Sequence, residues 1–323
     1  MSTDERRQNV LVTGGAGFIG SHLCARLVAM GHRVVAVDDL SRGRASNLEG
    51  TLDDPRFELV CIDMRQREAM GAILSRCSVG TIIHLAANSD IRSSTSDPRP
   101  DLERTLETTL AALELAVAGG VPELVFASSS AVFGPLPAGS AIEEFHGPCA
   151  PISFYGAAKL AGEGFVSAYA HQHGLKAWVA RFPNIVGGRA THGILFDLLA
   201  KLEQRPGFLE VLGDGTQCKP YLLVDDLLDA LLFAWRELPG PHELFHVPAR
   251  GSTSVARIAE LLVQAHTPGT EIRFSGGSAG WRGDVPHYAY GPGRLAELGW
   301  APRWSSDQAI AEAIRRLLLE LRP

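Results

Sequence analysis

The sequence has few cysteines and no long apolar run, and neither sign of charge dominates it. Its five cysteines are dispersed, without a Cys-x-x-Cys pair, which argues against a disulfide framework or a zinc knuckle. No run of about 18 apolar residues occurs, so no transmembrane helix is expected. The 30 basic and 36 acidic residues give a net charge of −6, which offers no footprint for nucleic acid or an anionic membrane. Together with a polar start that lacks a signal-peptide pattern, these absences predict a cytoplasmic protein.

The chain has 323 residues, enough for two domains or one large α/β unit. Short β-rich runs alternate with longer amphipathic runs, which is typical of a parallel sheet covered by helices on both faces. The expected strands are residues 9–13, 33–38, 58–62, 81–86, 123–128, 177–182, 243–247 and, in a smaller second lobe, 271–274. The expected helices are residues 17–30, 65–76, 97–118, 153–173, 191–204, 225–238, 254–266 and 305–321.

Glycines at positions 14, 17 and 20 follow the first expected strand and open the first expected helix. Glycine there permits a tight turn and the close approach of a pyrophosphate, while the helix N-terminus supplies N–H donors to the anion. The second strand ends in Asp38 and Asp39, where a carboxylate can accept the ribose hydroxyls of adenosine. A carboxylate would repel a 2′-phosphate, which favours NAD, although Arg42 nearby leaves NADP as an alternative.

Tyr155 and Lys159 lie four residues apart at the head of an expected helix and therefore share one of its faces. An ammonium beside a phenol favours the phenolate, so Tyr155 could act as a base near neutral pH. Serines 128–130 end an expected strand, at the edge where open α/β sheets bind ligands. A serine hydroxyl there can align a substrate oxygen with Tyr155. A Tyr-x-x-x-Lys pair alone is common on helices, and its combination with the glycine motif is what points to catalysis.

In combination, these motifs resemble the extended short-chain dehydrogenase/reductase superfamily, and within it the NAD-dependent nucleotide-sugar epimerase/dehydratase family. The resemblance covers nearly the whole chain and is strongest to the UDP-glucose (UDP-galactose) 4-epimerase-like branch. Further segments that carry it are residues 84–87, 181–184, 191–193, 213–217, 224–226, 280–281 and 283–285. It implies a Rossmann-type doubly wound parallel sheet with a smaller C-terminal α/β substrate lobe. The NAD-binding domain would span 8–185, with a return of the chain at 221–248, and the substrate lobe would comprise 186–220 and 249–321.

Carried over residue by residue, the resemblance implies a catalytic set and two binding sets. The catalytic set is Ser129, Tyr155 and Lys159. The residues implied to bind the cofactor NAD are Gly14, Gly17, Phe18, Ile19, Gly20, Asp38, Asp39, Asp63, Met64, Leu85, Ala86 and Ala87, together with Tyr155 and Lys159. Of these, Asp38 would hold the adenosine ribose and Asp63 the adenine. The residues implied to bind a nucleotide-diphosphate sugar are Ser89, Ser130, Asn184, Lys219, Asp284 and Tyr288.

The residues after the catalytic serine separate the reactions of this family. Related 4,6-dehydratases carry Asp-Glu where this chain has Ser130 and Ala131, decarboxylating relatives usually need Glu in place of Ala131, and 3,5-epimerases have Cys there. A methyl group can do none of that acid/base chemistry. The remaining reaction is 4-epimerisation, in which the sugar is oxidised transiently at C4 and the hydride returns to the opposite face. The alternatives are another epimerase or dehydratase of the family and a non-catalytic NAD-binding sensor.

The remaining sequence predictions concern substrate size, metals and assembly. Tyr288 lies where epimerases place the residue that limits the C2 substituent, so a bulky side chain favours sugars without an N-acetyl group; simple packing between the lobes is an equal alternative. His171 and His173 lack a further ligand cluster, and no metal site is expected. The family resemblance implies a homodimer built from the helices at 97–118 and 153–173.

Overall fold

The computed structural model describes residues 8–91, 94–136, 141–205, 207–277, 280 and 285–321. In chain order the strands are β1 (Asn9–Thr13), β2 (Arg33–Asp38), β3 (Phe57–Cys61), β4 (Val79–His84), β5 (Glu123–Ser129), β6 (Ala141–Ile142), β7 (Lys176–Phe182), β8 (Asn184–Val186), β9 (Phe208–Val211), β10 (Cys218–Lys219), β11 (Tyr221–Leu223), β12 (His242–His246), β13 (Thr253–Ser254), β14 (Glu271–Phe274) and β15 (Ala289–Tyr290). The helices are α1 (Phe18–Ala29), α2 (Glu49–Leu52), α3 (Arg67–Arg76), α4 (Arg99–Asp101), α5 (Glu107–Ala118), α6 (Phe154–His173), α7 (Ile194–Gln204), α8 (Val224–Glu237), α9 (Val255–His266), α10 (Arg294–Glu297) and α11 (Ser306–Glu320).

Seven parallel strands form the central sheet, in the order β12-β7-β5-β4-β1-β2-β3. They are the seven strands predicted from the first 250 or so residues, with ends shifted by at most two residues. Helices cover both faces, and the predicted α/β fold class is confirmed. The strand order reverses direction between β1 and β4, which places a crevice at the carboxyl ends of those two strands.

Most predicted helices begin one to three residues later than expected, and in two of them the backbone is irregular at that end. The helix expected over 97–118 begins at Arg99 and contains a π-helical turn at Leu102–Leu106 before α5. The helix expected from residue 191 begins at Ile194, because Gly193 has a φ of 102° and cannot continue a right-handed helix. In both places the amphipathic sequence pattern begins before the regular helix does. The spacing of apolar residues predicts a helix but does not predict the backbone angles at its ends.

Apolar side chains form one core on each face of the sheet and a third core outside it. Trp178 belongs to the first of these cores and Phe126 to the second. The third core joins α7, α9 and α11, with Leu198, Ile258 and Ile310 among its buried members. Most of this third core lies within the segments predicted for a substrate lobe, but Tyr221 and Leu223 belong to the segment predicted for the NAD-binding domain. The boundaries of the lobe stay a prediction. Among the described residues, no helix is long and apolar enough to cross a membrane.

A buried ion pair joins α6 to the sheet. The carboxylate of Glu163, on α6, accepts hydrogen bonds from Arg181 Nε at 2.9 Å and Arg181 Nη2 at 2.6 Å, and both side chains are at least nine-tenths buried. The Ser128 hydroxyl donates to the same carboxylate. Because Ser128 and Arg181 lie near the carboxyl ends of β5 and β7, the pair holds these ends against the helix that carries Tyr155 and Lys159.

Replacing Glu163 by Gln should destabilise the protein, because Arg181 would keep a buried charge without its counter-charge. We expect the free energy of unfolding in urea to fall by about 3 kcal/mol. The matched control is Glu58→Gln, whose partner Arg76 is exposed, and its effect should stay within about 1 kcal/mol. A loss at Glu163 no larger than the loss at Glu58 would contradict this assignment.

Candidate active site

A cavity of about 900 Å³ opens at the carboxyl edge of the sheet. Each described residue to which the sequence analysis gave a site role lines it, whereas Asp284 lies outside the described residues. These lining residues are Gly14, Gly17, Phe18, Ile19, Gly20, Asp38, Asp39, Asp63, Met64, Leu85, Ala86, Ala87, Ser89, Ser129, Ser130, Tyr155, Lys159, Asn184, Lys219 and Tyr288. The structure therefore brings together positions that are spread over most of the chain.

The glycine loop after β1 leaves space that a side chain would fill. A Cβ on Gly20 would lie 2.0 Å from the Gly14 carbonyl oxygen, and Gly14 itself has a φ of 69°. The loop ends at Gly17, directly before α1, and no side chain caps the first N–H groups of that helix. An uncapped helix N-terminus beside a glycine turn suits a diphosphate, because N–H donors and the helix dipole favour an anion.

Asp38 lies at the end of β2 and faces the glycine loop. Its carboxylate accepts hydrogen bonds from the Leu40 amide at 2.8 Å and the Ala16 amide at 3.0 Å. Burial raises the pKa of Asp38 above its usual value, and these two amides offset part of that increase. A carboxylate has about four acceptor positions, so Asp38 keeps capacity to accept ribose hydroxyls. These contacts fit the ribose of a bound NAD.

The two arginines nearest the expected adenosine site are already paired with carboxylates. Arg42 Nη2 donates to Asp90 Oδ2 at 3.2 Å. The carboxylate of Asp90 therefore balances the positive charge of Arg42, which was the reason to keep NADP as an alternative cofactor. Arg65 Nη2 donates to Asp63 Oδ2 at 2.6 Å, and this partner lowers the pKa of Asp63. Asp63 is therefore ionised at neutral pH and can accept a hydrogen bond, as the predicted contact with adenine requires.

Ser129 is the last residue of β5, and Tyr155 lies in the first turn of α6; both line the cavity. The Ala131 amide donates to Ser129 Oγ at 3.1 Å, which orients that hydroxyl. Burial raises the pKa of Tyr155 above its usual range, and a hydrogen bond with Ser129 offsets part of the increase. The negative charge of Asp101 raises this pKa further. In the contacts of the protein itself, the decrease expected from the neighbouring Lys159 is therefore not observed.

Lys159 is almost completely buried beneath the cavity. Its Nζ donates to the Ala127 carbonyl oxygen at 2.6 Å and lies 5.8 Å from the centre of the Tyr155 ring. Burial lowers the pKa of Lys159 to about 7, although the negative charge of Glu163 opposes this shift. Lys159 therefore holds or releases a proton near neutral pH, which is the range in which a proton-transfer site works.

The histidine of the 84–87 motif supports the site and does no chemistry in it. His84 Nδ1 lies 2.7 Å from Thr13 Oγ1, and its Nε2 lies 3.2 Å from Thr109 Oγ1. Burial lowers the pKa of His84 to about 3, so the ring is neutral. It connects β1, β4 and α5 directly below the glycine loop, and it does not line the cavity.

On the side of the cavity away from the glycine loop, Tyr288 is fixed by two hydrogen bonds. Ser130 Oγ donates to Tyr288 Oη at 3.0 Å, and Asn184 Nδ2 donates to it at 3.1 Å. Asn184 Nδ2 also donates to the Pro220 carbonyl oxygen at 3.3 Å. The predicted contact between Asn184 and a substrate diphosphate therefore has to compete with two bonds inside the protein.

Sequence reasoning missed the partner of Arg42 and the position of His192. Asp90 and His192 both line the cavity, and no motif marks Asp90. Only the chain fold brings Asp90 to Arg42, which is 48 residues away. In the described part of the chain, no group of three or more His, Cys, Asp or Glu side chains could hold a metal ion.

Comparison with known proteins places the chain in a family. A model of the NAD dependent epimerase/dehydratase family matches residues 10–245. The chain belongs to this family. It is 33% identical to the UDP-glucose 4-epimerase of Mycolicibacterium smegmatis in an alignment of 311 residues. This alignment covers 94% of this chain and 96% of that protein. The predicted family, enzyme class and cofactor NAD are thereby confirmed.

Solved structures of two kinds of enzyme resemble this fold. A UDP-galactose 4-epimerase superposes with a TM-score of 0.86 at 34% identity, over 97% of this chain and 100% of that one. A dTDP-glucose 4,6-dehydratase from Streptomyces venezuelae, solved with NAD bound, superposes with a TM-score of 0.87 at 26% identity, over 97% and 98% of the two chains. Since both superpose equally well, the fold alone does not select the reaction.

NADH should bind more weakly as the pH falls, because Asp38 becomes protonated. Its raised pKa means that the carboxylate takes up a proton at a higher pH than an ordinary Asp, so the dissociation constant should rise as pH falls through that value. Asp38→Asn should bind NADH about tenfold more weakly at pH 7 and lose this pH dependence. Fluorescence titration of NADH between pH 5 and 8 measures both effects.

The control for this titration is Asp54→Asn, because Asp54 pairs with Arg56 and does not line the cavity. It should bind NADH like the unchanged protein at every pH. An Asp38→Asn variant that retains the original pH dependence would show that another group is responsible.

Proposed function

We propose that the protein is a nucleotide-sugar 4-epimerase of the UDP-glucose/UDP-galactose type. The observation that supports this most directly is the composition of the cavity wall beside Ser129. Ser129 lies close enough to Tyr155 to influence its pKa, and the neighbouring Ala131, whose side chain is only a methyl group, lines the cavity. A second acid or base at that position is what the dehydratase and 3,5-epimerase reactions use. The relatives named as 4-epimerases also support the proposal.

In the proposed reaction Tyr155 takes the proton of the C4 hydroxyl while Ser129 orients that oxygen. When bound, NAD⁺ supplies the hydride acceptor and a positive charge on its nicotinamide ring. Lys159 in its protonated form favours the phenolate of Tyr155. In the second half of the reaction, Tyr155 returns the proton to the oxygen of the 4-keto sugar after the sugar has turned over. No further proton donor is required.

We assign the other predicted site residues to the two ligands. The residues at the ends of β1, β2, β3 and β4 hold NAD, and Lys219 with Ser89, Ser130, Asn184 and Asp284 binds the nucleotide sugar. Lys219 keeps the positive charge that a diphosphate requires. We also propose an NAD-binding domain at 8–185 and 221–248 and a substrate lobe at 186–220 and 249–321. Most members of the third core lie in the segments of the substrate lobe, which supports this division.

A homodimer and a cytoplasmic location are part of the proposal. Val117 on α5 and Phe165 on α6 are large apolar side chains that are exposed in the single chain. Exposed apolar side chains on two helix faces favour helix packing between two copies. Sedimentation equilibrium gives the mass of the assembly and therefore tests the homodimer.

The decisive experiment incubates the protein with UDP-, GDP-, ADP- and dTDP-sugars and follows the configuration at C4 of the sugar by NMR. We expect conversion of a UDP-hexose to its C4 epimer without added cofactor, and no solvent deuterium at C3 or C5. Tyr155→Phe should lower turnover by about 10²- to 10⁴-fold while bound NAD(H) stays unchanged. Tyr169→Phe on the same helix, outside the cavity, is the control and should keep full activity.

Four results would contradict the proposal. Deuterium at C3 or C5 would favour another epimerisation, and a 4-keto-6-deoxy product would favour the dehydratase. Binding of NAD without turnover of any of these sugars would favour a sensor. Full activity of Tyr155→Phe would remove Tyr155 from its role as the base.

Tyr288 should exclude substrates with an N-acetyl group at C2. The ring is held by its two hydrogen bonds and by contact with Tyr290, so it does not swing away easily. Tyr288→Cys should raise turnover of UDP-N-acetylhexosamine relative to UDP-hexose by at least about tenfold. Tyr288→Phe keeps the ring and its contact with Tyr290 but loses both hydrogen bonds, so it should raise this ratio less than Tyr288→Cys does. An unaltered ratio in Tyr288→Cys would mean that the side chain only packs between elements.

A further inference from the structure

An ion pair joins the two loops that flank the glycine loop. Arg42 follows β2 and Asp90 follows β4, and these strands lie on either side of β1 in the sheet. Arg42 Nη2 donates to Asp90 Oδ2 at 3.2 Å, and both side chains line the cavity. Since the glycine loop leaves β1 between them, the pair connects the two sides of the crevice that holds NAD.

This pair is not part of the framework of the fold. About a third of each side chain is exposed, 38% for Arg42 and 30% for Asp90, and both residues lie in loops beyond the strand ends. A pair with that exposure contributes little to stability, whereas the buried pair of Glu163 and Arg181 contributes much more. Any function of the Arg42–Asp90 pair therefore concerns the crevice that it spans.

A third loop reaches the same place from the other side of the cavity. His192 precedes α7, lines the cavity, and lies close enough to Asp90 and Arg42 for both charges to act on its ring. Burial is the largest influence on His192 and lowers its pKa, so at neutral pH the ring adds no charge to the pair. The charged contact therefore involves Arg42 and Asp90, and the loop before α7 contributes the neutral ring of His192 to the lining of the same cavity.

In the proposed reaction, a contact across the cofactor crevice would help to retain NADH. The hydride taken from the sugar has to return to the same sugar, so NADH must not leave between the two halves of the reaction. We propose that the Arg42–Asp90 ion pair is a clasp across the cofactor crevice that slows the release of bound NAD(H). Its purpose rests on the proposed function, whereas the clasp itself depends only on the binding of NAD.

The test measures the rate at which NADH leaves the intact protein. Bound NADH is displaced by excess NAD⁺ in a stopped-flow instrument and followed by its fluorescence, with no sugar present. Asp90→Asn and Arg42→Met should each release NADH about two- to fivefold faster at low ionic strength, the factor expected for a partly exposed ion pair. Raising the ionic strength to about 1 M, where charges are screened within about 3 Å, should bring the unchanged protein to the same faster rate.

Exchanging the two charges separates a clasp from direct contacts with the cofactor. Arg42→Asp and Asp90→Arg should each release NADH faster still, because like charges would face each other. Combining both substitutions should restore slow release. Glu58→Gln, which breaks an exposed pair away from the cavity, is the control and should leave release unchanged.

The proposal is overturned if either neutralising variant releases NADH at the original rate. It is also overturned if the combined exchange remains as fast as the single reversals, because Arg42 or Asp90 would then act on the cofactor by itself. No sugar is present in this experiment, so its result does not depend on which reaction the enzyme catalyses.

Discussion

The contact between Gly20 and the carbonyl oxygen of Gly14 sets the geometry of the whole cofactor side of the cavity. A Cβ at position 20 would lie 2.0 Å from that oxygen, so α1 can begin at Phe18 only because Gly20 has no side chain. The same loop is attached to the neighbouring strand, since the Gly14 amide donates to Val37 and the Ala16 amide donates to Asp38. The positions suited to a diphosphate and to a ribose are therefore fixed relative to each other by backbone contacts.

The sequence predicted those elements whose signal is local. The central strands are short, mostly apolar runs, and the structure has each of them within two residues of the expected place. Local backbone angles were not predictable in the same way, as the π-helical turn before α5 and the left-handed Gly193 show. Contacts between distant residues were less predictable still. Nothing in the residues around Asp90 indicates that Arg42, 48 positions earlier, is its partner.

The chemistry of Tyr155 and Lys159 shows a further limit of sequence reasoning. Their spacing correctly predicts that both line one cavity, but burial acts on the two groups in opposite directions and favours the neutral form of each. A neutral pair and a phenolate with an ammonium carry the same net charge of zero. A positive charge that enters the cavity beside Tyr155 can therefore shift the proton toward Lys159 without a proton from solvent. In the proposed reaction, this property would connect activation of Tyr155 as the base to occupation of the cofactor site.

In the proposed reaction, returning a hydride to the opposite face of the same sugar would make two different demands on one cavity. The sugar has to turn, which requires space and few strong contacts, whereas the cofactor has to stay in place. The walls differ accordingly. On the cofactor side the backbone of the glycine loop, Asp38 and the Arg42–Asp90 pair surround the crevice from three strands. Next to Ser129 the wall includes the small residue Ala131, and Tyr288 is held there by hydrogen bonds. An acid at position 131 could hydrogen bond to the turning sugar and take part in another reaction, so the methyl group of Ala131 supports the proposed 4-epimerisation in both respects.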